Sequence, residues 1–319
     1  MNDDAINLIT GKIKESRTIG VVSHLRPDGD SICTSIALHF IGQQLNKEIS
    51  VYIKDKLPIP FNTFPDIDVI QIGTIQKKDY DCIILLECAN VSRSGQENLE
   101  SYYKINIDHH HSNDYYADIN WVDPDAAAVA CMVYKLGKKL NIQFTEQIAT
   151  QLYSAIVSDT GSFQFSNTQA EAFKTCYELV KHGAVPIKVS DMLFNNNPPE
   201  KIKLLGKVLS TLKMTPKGNI AVITMLQKHL ESLHLKQVDT EDITTCARSI
   251  HGVKVVLFFK EMEKNTFRVS VRSKENANSA EIAEHFGGGG HLHAAGFTVK
   301  GPHAELIERI PKIVNNIIE

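Results

Sequence analysis

The 319-residue chain reads as two α/β domains, an N-terminal one built on a parallel sheet and a smaller C-terminal one with mixed α/β structure. Three observations predict this. In the first half, short apolar runs of strand length alternate with segments of helical periodicity, the pattern of βαβ units. Three of those runs end on acids and imidazoles, at the sheet edge where open parallel sheets bind ligands. After Asn195-Asn196-Asn197-Pro198-Pro199 the pattern changes to strands joined by tight turns. The expected organisation is 1–190 for the first domain, 191–205 for a linker and 206–319 for the second.

Bulk composition narrows the class. The chain is 43% hydrophobic and 22% charged, that of a globular protein able to bury a sizeable core. No apolar run approaches the ~20 residues that span a bilayer, and Met1-Asn2-Asp3-Asp4 begins no signal-peptide core. The six cysteines form no C-x-x-C pair, and Cys82 and Cys176 lie in apolar segments. Reduced core thiols and a cytoplasmic location are the expectation. A formal net charge of −3 argues against a broad electrostatic grip on long nucleic acid, and leaves room for a small phosphorylated substrate held by local cations.

Residues 3–16 carry Ile6, Ile9 and Ile13 on one face of a helix. Thr18–Val22 is a buried strand, and a helix begins after Ser31 with Ile32, Ile36, Phe40 and Ile41 on one face. Between them lies Ser23-His24-Leu25-Arg26-Pro27-Asp28-Gly29-Asp30-Ser31. Pro27 and Gly29 permit a sharp reversal that turns both carboxylates to one point, and a cation between them relieves their repulsion. A polar turn with Ser31 as helix N-cap explains the same stretch equally well. Ile49–Ile53 is a second strand. Asp81–Leu86 is a third, ending on Glu87, and Lys104–Ile107 a fourth, ending on Asp108-His109-His110-His111.

Pro124–Leu140 and Thr145–Val157 are expected helices, the second capped by Thr145. Asp159 falls at the carboxyl end of that helix, where the dipole disfavours an acid unless a cation offsets it; this makes it a candidate ligand. Thr168-x-x-Glu171 reads as a capping box opening the next helix. In the second domain, Ile220–Met225, Val253–Phe259 and Phe267–Arg272 are strands, and Asn278 and Glu281 open a helix. Then comes Gly287-Gly288-Gly289-Gly290-His291. Four glycines give up chain entropy without packing return, which fits either backbone N–H groups folded round a phosphate or a flexible hinge. Arg272 is positioned to supply a cation beside them.

Taken together, these residues resemble the DHH–DHHA1 phosphoesterase family over nearly the full length. His24-x-x-x-Asp28-x-Asp30 is similar to its first motif, Asp108-His109-His110 to the motif that names it, and Ser158-Asp159-Thr160-Gly161 to the last motif of the catalytic domain. Gly287–His291 with Ala294-Ala295-Gly296 looks like the DHHA1 signature. The resemblance implies two divalent metals, usually Mn²⁺ with Mg²⁺ or Co²⁺ as alternatives, in the first domain. His24 and Asp28 would hold one, Asp30, His109 and Asp159 the other. Glu87 stands where the family has a bridging Asp, and one extra methylene is the main departure. Arg272, Ser273 and His291, with Gly288, Gly289 and Gly290, would grip a terminal phosphate across a cleft between the domains. Arg93 either faces the substrate or is a solvated helix arginine.

Two clustered metals lower the pKa of a shared water and stabilise an in-line phosphoryl transition state. His110 is the residue to contact the phosphate or protonate the leaving oxygen, and Asp108 the acceptor that orients the imidazoles beside it; His111 belongs to surface or packing. The expected activity is hydrolysis of RNA oligonucleotides of about 2–5 nucleotides, the scale of the family's compact members, and of 3′-phosphoadenosine 5′-phosphate to AMP. Hydrolysis of linear or cyclic dinucleotides is the enzyme alternative, and a nucleotide-binding sensor disabled at Glu87 the alternative of another class. Partners are small nucleotides or short single strands, with no long duplex and no membrane, and the first domain is a candidate for homodimer pairing.

Overall fold

A computed structural model describes residues 2–236 and 240–319. It divides into two compact units, Met1–Asn196 and Asn197–Glu319. In the first unit the strands are β1 (Thr18–Ser23), β2 (Glu48–Ile53), β3 (Ile70–Ile72), β4 (Cys82–Leu86), β5 (Lys104–Asp108) and β6 (Ile119–Val122). The helices are α1 (Asn2–Glu15), α2 (Gly29–Gln44), α3 (Val129–Lys139), α4 (Glu146–Asp159), α5 (Ala170–Lys181) and α6 (Pro186–Phe194).

All six strands are parallel, in the order β3-β2-β1-β4-β5-β6. Chain direction across the sheet reverses between β1 and β4, so a crevice opens at their carboxyl ends. Every residue of β4 is buried, and a continuous apolar strand can be covered on both faces only in this setting. Registry then fixes the site. Ser23 pairs with Leu86 and Leu86 with Ile107, so the next residues, His24, Glu87 and Asp108, stand side by side at the sheet edge, Asp108 still paired with Val122 of β6.

Two helices bring the remaining acids to that edge. Asp28 is the N-cap of α2: its Oδ1 accepts from Ser31 N–H at 3.0 Å, and Ser31 Oγ accepts from Asp28 N–H at 3.1 Å. Ser31 is thus the N3 partner of a capping box and not the cap itself. The start of α2 packs hard on the end of α4: a Cβ on Gly29 would lie 2.2 Å from Ser158 Oγ and 2.4 Å from the Phe61 ring. Only glycine permits this approach, which sets Asp28 and Asp30 beside Asp159.

The second unit holds α7 (Pro199–Leu209), β7 (Lys213–Met214), β8 (Ile220–Met225), α8 (Gln227–Glu231), α9 (Glu241–Arg248), β9 (Val255–Glu263), β10 (Thr266–Ser273), α10 (Ser279–His285), β11 (Gly289–His291), β12 (Ala294–Lys300) and α11 (His303–Ile318). Its sheet order is β11-β12-β10-β9-β8-β7, antiparallel except for the β8–β9 pair. Alternate residues of β9 feed two cores: Val255, Leu257 and Phe259 join Leu306 and Ile310 of α11, while Val256 and Phe258 join Leu204, Ile243 and Ala247.

Several expectations shift. The helix expected from Pro124 starts at Val129, because Ala128 offers no cap and the capping acceptor comes from α2 instead. The Thr168 capping box does not form: α5 begins after Gln169 without a side-chain cap, and Thr168 Oγ1 is buried without a hydrogen-bond partner. Residues 191–205 contain the end of α6 and part of α7, with only the stretch between Phe194 and Pro199 outside helix. The glycine run is not a free loop: Gly289 and Gly290 lie in edge strand β11, paired with Gly296 and Ala295. No helix among the described residues is long and apolar enough to cross a membrane.

Candidate metal centre

Two groups of ligand atoms meet at the carboxyl edge of the parallel sheet. His24, Asp28 and Glu87 form one, Asp30, Glu87 and His109 the other, and within each group the atoms lie within 4.8 Å of one another. Glu87 belongs to both. Its Oε2 is 3.6 Å from His24 Nε2 and its Oε1 3.4 Å from His109 Nε2. His24 Nε2 is also 3.4 Å from Asp28 Oδ2. The Glu87 backbone sits in the left-handed region at φ 54°, and its side chain lies between the two imidazoles. A long side chain held there costs conformational energy, the kind of strain that persists at functional sites.

Each imidazole is fixed from behind. His24 Nδ1 lies 2.8 Å from the Leu25 carbonyl and His109 Nδ1 3.0 Å from the Ala126 carbonyl. A carbonyl only accepts, so both Nδ1 atoms carry the proton and Nε2 is the ligand atom. Asp30 is buried and hydrogen-bonded at both oxygens: Oδ2 accepts from Val129 N–H at 2.5 Å, and Oδ1 from Ala130 N–H at 3.1 Å and Thr34 Oγ1 at 2.8 Å. The same carboxylate therefore caps α3 from a distance of about a hundred residues in sequence.

Electrostatics match a cation site. Burial, with the charges of Asp28 and Asp30, pushes the Glu87 carboxyl well above the usual carboxylate range. Burial and Asp30 raise Asp159 to about 7. Burial favours neutral imidazoles, but the neighbouring carboxylates outweigh it and raise His24 and His109 each to about 11. Desolvation opposes ionisation of Asp28, yet His24 and the Ser31 N–H hold it well below its ordinary range while half its side chain stays open to solvent. Glu87 Oε2 is buried with no hydrogen-bond donor. Clustered acids, an orphaned carboxylate oxygen and two Nε2 atoms aimed inward fit divalent cations, whose charge offsets the repulsion.

Asp159 is the exception among the expected ligands. It lies outside both groups, with Oδ2 3.9 Å from His109 Nε2 and held at 3.1 Å by Asn167 Nδ2. Asp108 offers no ligand atom to either group. Its Oδ1 accepts from the His109 and His110 N–H groups at 2.8 and 3.2 Å and lies 2.7 Å from His110 Nδ1. Thus Asp108 orients one imidazole, that of His110, whereas the His109 ring is oriented by Ala126. Against burial, His110 and Asn113 keep the Asp108 carboxyl below its ordinary range.

Three asparagines complete the support. Asn113 Nδ2 donates to Asp108 Oδ2 at 2.5 Å and to Asn106 Oδ1 at 2.7 Å, and Asn106 donates to the Cys88 and Leu85 carbonyls. Asn167 ties Asp159 to the Ala127 carbonyl at 2.9 Å. Sequence reasoning missed all three. The one local signal was Asn113 itself, close behind the imidazoles in a loop.

Arg93 sits half-buried in the turn Val91–Ser94, and its carbonyl accepts from Leu25 N–H at 2.7 Å, joining the loops that follow β4 and β1. In the second unit Ser273 is buried, with its hydroxyl engaged by Ser279 Oγ at 2.9 Å and the Leu292 carbonyl at 3.1 Å, which anchors the β11–β12 turn. Arg272 Nη1 donates to the Val271 carbonyl at 3.2 Å. A Cβ on Gly288 would fall 2.3 Å from the Gly296 carbonyl, and one on Gly290 2.4 Å from Ala295 Cα, so strand packing demands both. Gly289 has open space around it. His291 closes β11, and its side chain lies outside the described residues.

Residues 18–156 match the model of the DHH family N-terminal domain, and residues 217–319 match that of the DHHA1 domain. A bifunctional oligoribonuclease and PAP phosphatase, NrnA, of Thermus thermophilus is 32% identical over 284 residues, covering 89% of this chain and 84% of that protein. The chain belongs to the DHH/DHHA1 family. It is a metal-dependent phosphoesterase of that family. The protein of the same name from Bacillus subtilis is 28% identical over 291 residues, covering 88% of this chain and 89% of its own. In fold, an exopolyphosphatase-related protein from Bacteroides fragilis superposes with a TM-score of 0.90 at 22% identity, over 98% of this chain and 96% of that one.

Proposed function

We propose that the chain hydrolyses short RNA oligonucleotides to mononucleotides and 3′-phosphoadenosine 5′-phosphate to AMP. The observation that carries this is the sharing of Glu87 by two ligand groups: a carboxylate common to two adjacent cation sites suits two-metal phosphoryl transfer. His24, Asp28 and Glu87 would hold one ion, and Glu87, Asp30 and His109 the other, with Asp159, 3.9 Å from His109 Nε2, as a further ligand to the second. Divalent ions there, Mn²⁺ in our reading, would supply an acidified water and charge stabilisation for the phosphoryl group.

The chain's own groups do the rest. Asp108 accepts the Nδ1 proton of His110, so that with a second proton on Nε2, offset by the Asp108 carboxylate, this part-exposed ring would bind the phosphate or pass that proton to the leaving oxygen. Asn113 fixes Asp108 and so the ring. Arg93, whose carbonyl accepts from Leu25 N–H, would face the substrate from the loop after β4. We assign catalysis to the first domain and recognition of the substrate's terminal phosphate to the second, through Arg272, Gly289 and His291, with Ser273, Gly288 and Gly290 shaping the strand that presents them. The relatives' names support this choice of substrates, and free, mostly buried cysteines support a cytoplasmic setting.

The test is hydrolysis of a 5′-phosphorylated RNA dinucleotide and of 3′-phosphoadenosine 5′-phosphate with Mn²⁺, Mg²⁺ and chelator in parallel. Mononucleotide release that depends on the metal supports the reading, and no turnover of either substrate overturns it. Glu87→Asp examines the bridge separately. A carboxylate drawn back by one methylene cannot reach both imidazoles from this backbone, so activity should fall at least tenfold; a gain would favour the disabled sensor.

A further inference from the structure

The left-handed backbone of Glu87 is tied down on both sides. Its N–H donates to the Ile107 carbonyl at 3.0 Å, which keeps the start of the turn in step with β5. Beyond it, the Cys88 carbonyl accepts from Tyr116 Oη at 2.9 Å and from Asn106 Nδ2 at 3.1 Å. Asn113 Nδ2 lies 3.4 Å from the same oxygen, but its two hydrogens serve Asn106 Oδ1 and Asp108 Oδ2 at 2.7 and 2.5 Å. A carbonyl oxygen has two lone pairs, so the phenol and Asn106 fill them. One residue further, the Ala89 carbonyl accepts from Asp114 N–H at 2.8 Å.

We propose that Tyr116 is a positioning residue for Glu87: its hydroxyl holds the Cys88 carbonyl and so keeps the Glu87 carboxylate between His24 and His109, without itself touching a cation. A glutamate at φ 54° is disfavoured and persists only where its surroundings over-determine it. With one partner of the Cys88 carbonyl gone, the turn is free to relax toward the ordinary backbone regions, and the carboxylate leaves the two rings. The phenol suits the task. Its ring packs against the apolar cluster that contains Val22, Leu85 and Leu99, which fixes where the hydroxyl points. Burial pushes its pKa up, so the hydroxyl keeps its proton and donates. Tyr116 also lies on the segment between β5 and β6 that carries His109. One loop therefore supplies an imidazole and the clasp for the carboxylate that faces it.

This role rests on the two-cation reading of the site, in which residues that orient the ligands govern how tightly the ions bind. Tyr102 provides the contrast. It packs against the same apolar cluster, and its hydroxyl donates to the Lys78 carbonyl at 2.9 Å, away from Glu87. Removing either hydroxyl deletes one bond from a phenol to a carbonyl, and only one of the two bears on the carboxylate.

The experiment titrates the full chain with Mn²⁺ alone, following the free ion by its EPR signal, for the wild type, Tyr116→Phe and Tyr102→Phe. Tyr116→Phe should weaken binding about tenfold, and Tyr102→Phe should match the wild type. In a Glu87→Gln background, Tyr116→Phe should weaken binding no further, because the carboxylate it positions is already gone. That cycle decides even where the variant loses stability, since a merely structural bond would weaken both backgrounds alike. Unchanged affinity in Tyr116→Phe, an equal loss in Tyr102→Phe, or a full further loss on top of Glu87→Gln each overturns the proposal and leaves the two-cation reading standing. A wild type that binds no Mn²⁺ overturns both.

Discussion

Asp30→Ala should cost stability as well as activity, and the two losses should be separable. In the folded chain Asp30 accepts from Val129 N–H, Ala130 N–H and Thr34 Oγ1, and all three sit in the core. Losing an N-cap acceptor typically costs ~1 kcal/mol. Each buried donor left unpaired adds about 1–3 kcal/mol, less where water enters the gap. Acting against this, removal of the Asp30 charge relieves Glu87 and Asp159, whose carboxyls it helps to raise. That relief is partial, because the raised imidazoles of His24 and His109 already balance much of the charge. The net loss should be about 3 kcal/mol, or about 6–12 °C in Tm for a unit of this size. The assay is a thermal melt in chelator, where no cation contributes, with Asp30→Asn and His109→Ala alongside. Asp30→Asn keeps an acceptor for the α3 N–H groups and should lose less than half as much; His109→Ala should lose less than Asp30→Ala. A Tm within 2 °C of wild type for Asp30→Ala would refute the idea that this carboxylate holds α3 in place.

Gly288→Ala should destabilise the second unit, since the added methyl meets the Gly296 carbonyl, while Gly289→Ala should leave its melt unchanged; a rise in KM at Gly289→Ala alone would then report contact with substrate, and no rise would remove Gly289 from the binding surface. His110→Ala should lower kcat by about 10²–10⁴ with the metal-induced thermal shift intact, and loss of that shift would mean that His110 supports the cation site instead. Burial and nearby lysines lower the pKa of His303, whose Nε2 lies 3.0 Å from Thr224 Oγ1. Above about 6.5 both folded and unfolded chains hold it neutral; as pH falls below that, the unfolded chain takes up a proton first, so stability declines toward pH 5. His303→Gln should flatten that decline in melts run from pH 7.5 to 5, and an unchanged slope would exclude His303 as its source.

Much of the first unit was legible in the sequence because its signals are local. A buried parallel strand is a continuous apolar run, and Thr18–Val22, Asp81–Leu86 and Lys104–Ile107 announced β1, β4 and β5 within a residue or two. Likewise, His24-x-x-x-Asp28 is a short-range relation that the cap of α2 converts directly into a 3.4 Å contact. Short edge strands such as β3 and β7 escaped notice because two or three residues carry no period. The Thr168-x-x-Glu171 pattern failed as a cap because α5 begins one residue later, with Gln169 at the cap position and Thr168 Oγ1 buried away from the helix N–H groups.

The residues alone therefore determined which chemistry the chain carries: acids and imidazoles at the ends of parallel strands, and glycines where a backbone must come close. Tertiary structure decided which atoms meet. Glu87 belongs to both ligand groups because the register of β1, β4 and β5 brings three strand ends level and its side chain lies between two rings. Asp30 became a helix cap, and two of the four glycines became packing requirements of a strand. Propensity and spacing act over a few residues, whereas ligand geometry depends on the separation of atoms far apart in the chain, and that separation is set only when sheets register and helices pack.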